Sequence, residues 1–266
     1  MEALILIRGA GDIATGVAAR LVRSGFRLIM TEIRQPMAVR RSVAFSEAVF
    51  NGTTRVEGLI ARRVESFEQC EHVFTLGEIP VLIDEDLAIL DEPTLKVAVL
   101  IDARMLKARP REKYLDHPFL SIGVGPGFIA GEDCHVVIES NRGHAMGRII
   151  RTGKALSDTG VPAGETDRIL RSPDDGRIET QVNIGDILVK GQPIASVSGL
   201  QVPAPFTGLL RGLIHSGMTV TRGMKIGDMD RNKDVNLCTL ISDKAMAIGG
   251  SILEVILSDT DLRPIK

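Results

Sequence analysis

Short apolar runs separated by glycine-rich turns mark the first part of the chain. Residues 4–7 are four apolar residues in succession, which predicts a strand that is buried on both faces. The run ends at Gly9-Ala10-Gly11, and apolar residues then recur at helical spacing, at positions 13, 17, 21 and 22. A second apolar run, residues 26–31, ends at Glu32. The pattern therefore predicts the strand, turn, helix and strand of a βαβ unit.

The turn of this unit has the residues that a dinucleotide-binding turn requires. Gly9 permits a tight turn, Gly11 lets the backbone approach a pyrophosphate, and the small Ala14 lets the helix pack near the strand. Asp12 lies in the same turn, where the amides at the helix start would face an anion. Glu32 lies 21 residues after Gly11, which is where an acid binds a ribose hydroxyl. A nucleotide-type ligand is expected here; the alternative is an inherited turn without a ligand.

Two further apolar runs end in aspartate. Residues 79–83 precede Asp84, and residues 97–101 precede Asp102. Ligands of open parallel sheets bind outside the carboxyl ends of the strands, so both carboxylates are candidate ligand contacts. The alternative is that each aspartate caps the turn that follows it.

A second glycine-rich segment spans residues 120–131. Gly123, Gly125 and Gly127 surround Pro126, and apolar strands are expected on both sides of the segment. Such a density of glycine indicates unusual backbone conformations or a ligand pressed against the main chain. We expect this loop to lie on the same side of the sheet as Gly11 and to border the same pocket. The alternative is a structural loop between domains.

An internal repeat follows a linker-like stretch at residues 152–166. At an offset of 32 residues Pro173 aligns with Pro205 and Gly176 with Gly208, which predicts a small all-β unit in two halves. The unit resembles the barrel-sandwich hybrid fold of biotinyl and lipoyl carrier domains. Residues 198–202 contain no lysine where those domains are modified, so no covalent biotin or lipoate is expected.

The last segment predicts a helix that is capped by Ser242 and contains the pair Gly249-Gly250. Such a pair suggests close packing or a break in the helix.

The fold class expected for the whole chain is α/β, with a Rossmann-like, mostly parallel sheet in residues 1–155. A barrel-sandwich unit is expected in residues 166–230, and residues 231–266 are expected to pack on the first domain.

Composition narrows the function classes. The chain has 266 residues, of which 25% are charged and 3% aromatic, with a net charge of −2, and this favours no nucleic-acid partner. No apolar run is long enough to span a membrane or to form a signal peptide, so a cytoplasmic protein is expected. The three cysteines lack metal-binding spacing, and no metal site or catalytic residue is indicated.

Four blocks of sequence together carry a family resemblance. They are residues 8–14, 123–128, 141–144 and 242–250, with the sequences RGAGDIA, GVGPGF, NRGH and SDKAMAIGG. The chain resembles accessory proteins of selenium-dependent molybdenum hydroxylases, distant relatives of the xanthine dehydrogenase maturation factors. The resemblance implies a maturation factor that handles the molybdenum cofactor or its selenium or sulfur ligand. It also implies a pterin-type ligand and an apo molybdenum hydroxylase as partner.

Two other functions stay open. An NAD(P)-dependent oxidoreductase uses the same glycine turn, although Tyr114, the only tyrosine, lacks the Tyr-x-x-x-Lys spacing that would handle a proton. A non-enzymatic scaffold could instead dock an apo-hydroxylase through the β unit. The sequence is also compatible with a homo-oligomer.

Overall fold

The computed structural model describes residues 4–157, 166–262 and 264. It divides into two compact units. The first unit comprises Met1–Pro36, Ala44–Thr159 and Ile241–Lys266, and the second comprises Met37–Val43 and Gly160–Leu240. These units differ from the predicted ranges in two places, because residues 37–43 and 231–240 both belong to the second unit.

A nine-stranded sheet forms the centre of the first unit. In order across the sheet, its strands are β10 (Ile149–Ile150), β9 (Val136–Ile138), β7 (Leu120–Val124), β6 (Val97–Asp102), β1 (Leu4–Arg8), β2 (Leu28–Glu32), β5 (Ile79–Ile83), β4 (Leu59–Val64) and β3 (Thr53–Val56). The strands from β9 to β4 are parallel, and β10 and β3 pair antiparallel at the two edges. The short strands β8 (Ile129–Ala130) and β11 (Gly153–Lys154) form a separate antiparallel pair. The predicted α/β class with a mostly parallel sheet is thus confirmed.

The helices of the first unit are α1 (Asp12–Arg23), α2 (Glu47–Asn51), α3 (Phe67–Thr75) and α4 (Asp243–Asp259), and a short 3₁₀ helix spans Ala88–Asp91. The predicted cap of α4 is confirmed, because the hydroxyl of Ser242 accepts a hydrogen bond from the amide of Ala245 at 3.2 Å. No helix in the described ranges has both the length and the apolar character to cross a membrane.

Glycines bring the backbones of α1 and α4 into close contact. A Cβ atom placed on Gly16 would lie 2.5 Å from the Cβ of Ala245. One placed on Gly249 would lie 3.0 Å from the carbonyl oxygen of Gly16, whereas one on Gly250 would meet nothing within 4 Å. Of the two explanations for the glycine pair, close packing therefore applies to Gly249.

The second unit consists of two four-stranded antiparallel sheets. One sheet contains, in order, β12 (Ile169–Arg171), β19 (Lys225–Asp230), β17 (Gly208–Leu213) and β14 (Ile187–Leu188). The other contains β16 (Leu200–Pro203), β15 (Pro193–Val197), β13 (Gly176–Thr180) and β18 (Thr219–Val220). Two 3₁₀ helices span Thr166–Arg168 and Val235–Cys238, and a third spans Arg41–Val43.

The predicted repeat is visible in this pairing. The strands β13, β14 and β15 begin at residues 176, 187 and 193, and β17, β18 and β19 begin 32 residues later, at 208, 219 and 225. Shifting every strand to its repeat partner converts the order of one sheet into the order of the other. The two halves share one apolar core, which includes Ile178, Leu210 and Ile226.

Candidate functional site

The carboxyl ends of four parallel strands lie level at one edge of the large sheet. Arg8, the last residue of β1, is in register with Thr31 of β2 and with Asp102 of β6, and Asp102 is in register with Gly123 of β7. Both glycine-rich loops therefore leave the sheet at the same edge, as the sequence predicted. We call this region the carboxyl edge.

The segment after β6 lies beside both glycine loops. A Cβ on Gly9 would lie 3.4 Å from Cγ of Arg104, and a Cβ on Gly125 would lie 3.7 Å from the sulfur of Met105. The two loops thus each contact the segment that begins at Ala103. A single pocket bordered by Gly11 and Gly125 stays a prediction.

The first glycine turn is held by hydrogen bonds on all sides. Gly9 has a φ of +96°, a conformation that favours glycine, and its amide donates to the carbonyl of Thr31 at 2.8 Å. The amide of Ala10 donates to Oε2 of Glu32 at 2.8 Å, and the carbonyl of Ala10 accepts from the amide of Ser46 at 2.8 Å. The turn is therefore fixed before any ligand binds.

The start of α1 has backbone donors that the fold does not use. The amides of Gly11, Asp12 and Ala14 have no hydrogen-bond partner among the described residues. A Cβ on Gly11 would meet nothing within 4 Å, and the φ of Gly11 is −65°, so the space beside this residue is open. Asp12 uses its carboxylate to accept from the amide of Ile13 at 3.0 Å, and Ala14 is fully buried.

Glu32 holds the turn in place. Its Oε1 accepts from the amide of Ile33 at 2.8 Å, while Oε2 accepts from Ala10. Burial raises the pKa of this carboxyl group, although the hydrogen bonds from Ile33 and Ala10 and the charge of Arg104 act in the opposite direction. The acid that the sequence assigned to a ribose hydroxyl is thus engaged with the backbone of the glycine turn.

The two strand-end aspartates have different surroundings. Asp84 accepts from the amides of Ala88 and Ile89 at 2.9 and 2.8 Å, so it caps the following 3₁₀ helix, as the alternative interpretation held. Asp102 is completely buried and pairs with Arg104, whose Nη2 lies 2.7 Å from Oδ2 and whose Nε lies 3.0 Å from Oδ1. A ligand-binding role for either residue stays a prediction.

Sequence reasoning missed the charged network around Asp102. Arg8 is 3% exposed; its Nη1 donates to the hydroxyl of Tyr114 at 2.7 Å and its Nη2 to the carbonyl of Glu85 at 2.8 Å. The hydroxyl of Tyr114 donates to Oδ2 of Asp102 at 3.0 Å. Burial and the charge of Asp102 raise the pKa of Tyr114, so the phenol stays protonated near neutral pH. The one available signal was an arginine placed directly between a buried strand and the glycine turn.

The second glycine loop is packed against its own chain. A Cβ on Gly123 would overlap the ring of Phe128, and one on Gly127 would lie 2.7 Å from the carbonyl oxygen of Leu106. Gly125 has a φ of +90°, and its Cβ would lie 3.0 Å from the hydroxyl of Ser140. These contacts explain the glycines without a ligand, and their predicted role in binding is untested.

Within the ranges that the structure describes, no group of three or more His, Cys, Asp or Glu side chains could hold a metal ion. Cys70, Cys134 and Cys238 are buried thiols. Burial raises the pKa of Cys70 and of Cys134 to about 12, so neither is a reactive thiolate near neutral pH.

No family model matches the chain. The chain is similar to an uncharacterized protein of Escherichia coli K12, YqeB, with 43% identity over 258 residues. This alignment covers 96% of the chain but only 47% of YqeB. The chain therefore spans about half the length of the curated relative that it matches.

Solved structures with partial likeness include three from other bacteria. They are an aspartoacylase family protein of Mesorhizobium loti (12% identity, TM-score 0.26), the ectoine utilization protein EutE of Ruegeria pomeroyi (12%, 0.25) and a succinylglutamate desuccinylase of Silicibacter (14%, 0.24). Each alignment covers 85–86% of both chains. At these TM-scores the likeness establishes neither a fold nor an activity for this chain.

These comparisons correct the family expected from the sequence. The sequence relative has no functional name, and the structural matches are named as an aspartoacylase family protein, an ectoine utilization protein and a succinylglutamate desuccinylase. None of them is named as a molybdenum-hydroxylase accessory factor or as a Rossmann-type nucleotide-binding protein. The assignment to that family was therefore wrong, as were the maturation function and the two alternatives considered with it. The error came from short glycine-rich blocks; in residues 123–128, Gly123 packs against the ring of Phe128 and Gly127 against Leu106, which explains these glycines by packing.

Proposed function

We propose that the first unit binds a phosphate-bearing small molecule at the carboxyl edge, through the amides of Gly11 and Asp12. The observation that carries this proposal is that these two donors are unused, while hydrogen bonds to Thr31, Glu32 and Ser46 hold Gly9 and Ala10 in place. Unsatisfied backbone amides are costly when a ligand or water does not meet them, and at a helix start they suit an oxyanion.

The surroundings add to this preference. α1 has 12 residues, so its backbone dipoles place partial positive charge at the amides of its first turn. The side chain of Arg104 lies beside the turn, since the nearest atom to a Cβ on Gly9 is Cγ of Arg104. Asp12 opposes an anion by its charge, but its carboxylate is hydrogen-bonded to the amide of Ile13. The proposed ligand therefore combines a phosphate with hydroxyl or amine groups that donate hydrogen bonds to the carboxylate of Asp12.

The fixed turn makes binding inexpensive in conformational entropy. Glu32, Thr31 and Ser46 hold Gly9 and Ala10 before a ligand arrives. A preorganised site loses little freedom on binding, which favours affinity for a small ligand.

A substitution at Gly11 tests the proposal. A side chain here meets no protein atom at its Cβ and requires no unusual φ, so Gly11→Val is expected to fold, at a cost of about 1 kcal/mol in helix capping. The new methyl groups would occupy the space beside the free amides. Calorimetric titration with inorganic phosphate, a sugar phosphate and a dinucleotide is expected to show binding of at least one compound to the unmodified chain, weakened about tenfold or more in the variant.

Gly250→Val is the matched control. A Cβ placed on Gly250 would also meet no atom within 4 Å, and this residue lies in α4, outside the glycine turn and α1. The control should keep the affinity of the unmodified chain. Equal affinities in Gly11→Val and Gly250→Val would place the ligand elsewhere, and no binding by any of the three compounds would count against the proposal.

We further propose that the second unit is a barrel-sandwich hybrid without a prosthetic group. Its two four-stranded sheets exchange strands between repeat halves, and the hairpin between β15 and β16 consists of Ser198 and Gly199, both with positive φ. No lysine stands at this turn to accept biotin or lipoate. Intact-mass measurement of the protein from its native host should give the unmodified mass; an added biotinyl or lipoyl mass on this unit would contradict the proposal.

A further inference from the structure

The carboxylate of Glu112 lies between two arginine side chains. Nη2 of Arg8 is 3.0 Å from Oε1 of Glu112, and Nη2 of Arg104 is 3.9 Å from Oε2. Arg8 ends β1 and Arg104 follows β6, the neighbouring strand. Guanidinium groups pair with carboxylate and phosphate oxygens, so two of them directed at one carboxylate have the form of an oxyanion site.

Burial differs sharply between the two sides of this contact. The side chain of Arg8 is 4% exposed, whereas that of Glu112 is 44% exposed. Arg104 is already paired with Asp102, and the other partners of Arg8 are the neutral hydroxyl of Tyr114 and the carbonyl of Glu85. Glu112 is thus the carboxylate that contacts Arg8 directly, and it does so from the solvent side.

Two buried polar atoms at the carboxyl ends of β1 and β2 are unsatisfied. Nε of Arg8 and Oγ1 of Thr31 have no hydrogen-bond partner among the residues that the structure describes. Arg8 and Thr31 are register partners on adjacent strands, so their side chains project from the same face of the sheet. An unpaired buried donor is costly, and it indicates a place for an oxygen atom that Glu112 does not supply.

We propose that Arg8 and Arg104 form a binding site for a small carboxylate or phosphate, and that Glu112 is an internal occupant that this ligand displaces. The ligand oxygens would take the place of Glu112 and could also accept from Nε of Arg8. Because Glu112 is half exposed, it can leave the site without unfolding the sheet. This site does not use the amides of α1, so it can be tested independently of the proposed function.

Glu112→Gln tests the inference in the full-length chain. The variant keeps the shape of the side chain but removes the charge that competes for Arg8. Titration by NMR with inorganic phosphate and, separately, with acetate should show about threefold tighter binding of at least one of them, the gain expected from removing a partly exposed ion pair. The anion that gains identifies the ligand class.

Two further variants make the result specific. Asp116→Asn removes an exposed carboxylate four residues after Glu112 in the sequence and should leave both affinities unchanged. Adding Arg104→Gln to Glu112→Gln should abolish the gain, whereas adding Gly11→Val should not. Unchanged or weaker binding of both anions by Glu112→Gln would overturn the proposal, as would a gain that survives Arg104→Gln.

Discussion

The carboxylate of Glu32 accepts a hydrogen bond from the amide of Ala10 at 2.8 Å, and this contact joins the end of β2 to the glycine turn after β1. The same carboxylate accepts from the amide of Ile33. Glu32 thus sets the backbone of the turn from which the free amides of α1 begin. Its effect on a ligand at Gly11 would be exerted through that backbone.

This contact predicts a dependence of stability on pH. Burial raises the pKa of Glu32 in the folded state above its ordinary value of 4.5. A raised pKa means that the folded state binds the proton more tightly than the unfolded chain, so its contribution to stability is largest below pH 4.5 and decreases as the pH rises through the folded-state pKa. The free energy of unfolding of the unmodified chain, relative to Glu32→Gln, should therefore fall as the pH is raised above 4.5, as measured by urea unfolding. A difference that rises with pH above 4.5 would contradict the assignment.

For Asp228 in the second unit, we predict that the contribution to stability changes with pH in the opposite direction. Burial acts to raise the pKa of Asp228, but Lys225, Arg211 and Arg168 outweigh it and hold the pKa below its ordinary value of 3.8. Its contribution to stability is therefore present above pH 3.8 and is lost as the pH falls through the lower folded-state pKa. Asp228→Asn should lower the free energy of unfolding by on the order of 3 kcal/mol at neutral pH, because it removes the buried counter-charge that Arg168 and Arg211 share.

Asp230→Asn is the matched control for that change. Asp230 contacts Arg211 at 3.0 Å but is 28% exposed, against 3% for Asp228. The control should cost no more than about 1 kcal/mol. Equal losses in urea unfolding of the two variants would show that burial of Asp228 is not what matters.

The glycine pair of α4 provides a test of the helix packing. Gly249→Ala places a Cβ 2.9 Å from Cγ of Arg20 and 3.0 Å from the carbonyl of Gly16, and we expect a loss of about 1–3 kcal/mol from overpacking. Gly250→Ala meets no atom within 4 Å and should gain up to about 1 kcal/mol from helix propensity. Thermal unfolding that moves both variants in the same direction would contradict the close approach of α1 and α4.

Tyr114→Phe tests the buried network. The hydroxyl of Tyr114 joins Arg8 to Asp102, and its removal leaves a donor of Arg8 and an acceptor of Asp102 without that partner. We expect a loss of about 1–3 kcal/mol in the free energy of unfolding. Phe119→Leu, at another buried position of the same core, changes packing without touching the network and should cost less than about 1.5 kcal/mol. A Tyr114→Phe loss no larger than that of the control would mean that the network contributes little.

The spacing of apolar residues and glycines was sufficient to predict several strands, turns and helices. The strand β1, the turn at Gly9 and the helix α1 follow from an uninterrupted apolar run, a break at glycine and helical spacing. The repeat in the second unit was visible because both halves keep the same turn residues at an offset of 32.

Contacts distant in sequence were not accessible to that reasoning. Arg8 and Tyr114 are separated by 106 residues, and nothing in the spacing of either residue indicates the other. Glu32 was found by its position, but its partner is the backbone of Ala10, which no side-chain pattern reveals. Residues 37–43 belong to the second unit, although they follow β2 directly in sequence.

Binding of a phosphate group by the free amides at the start of α1 is tested most directly by NMR. The ¹⁵N-labelled chain would be titrated with the phosphorylated compound that binds best in calorimetry. We predict that the amide resonances of Gly11 and Asp12 shift most, and that these shifts disappear in Gly11→Val but persist in Gly250→Val. Largest shifts at amides outside the carboxyl edge, with these two unchanged, would contradict phosphate binding at this turn.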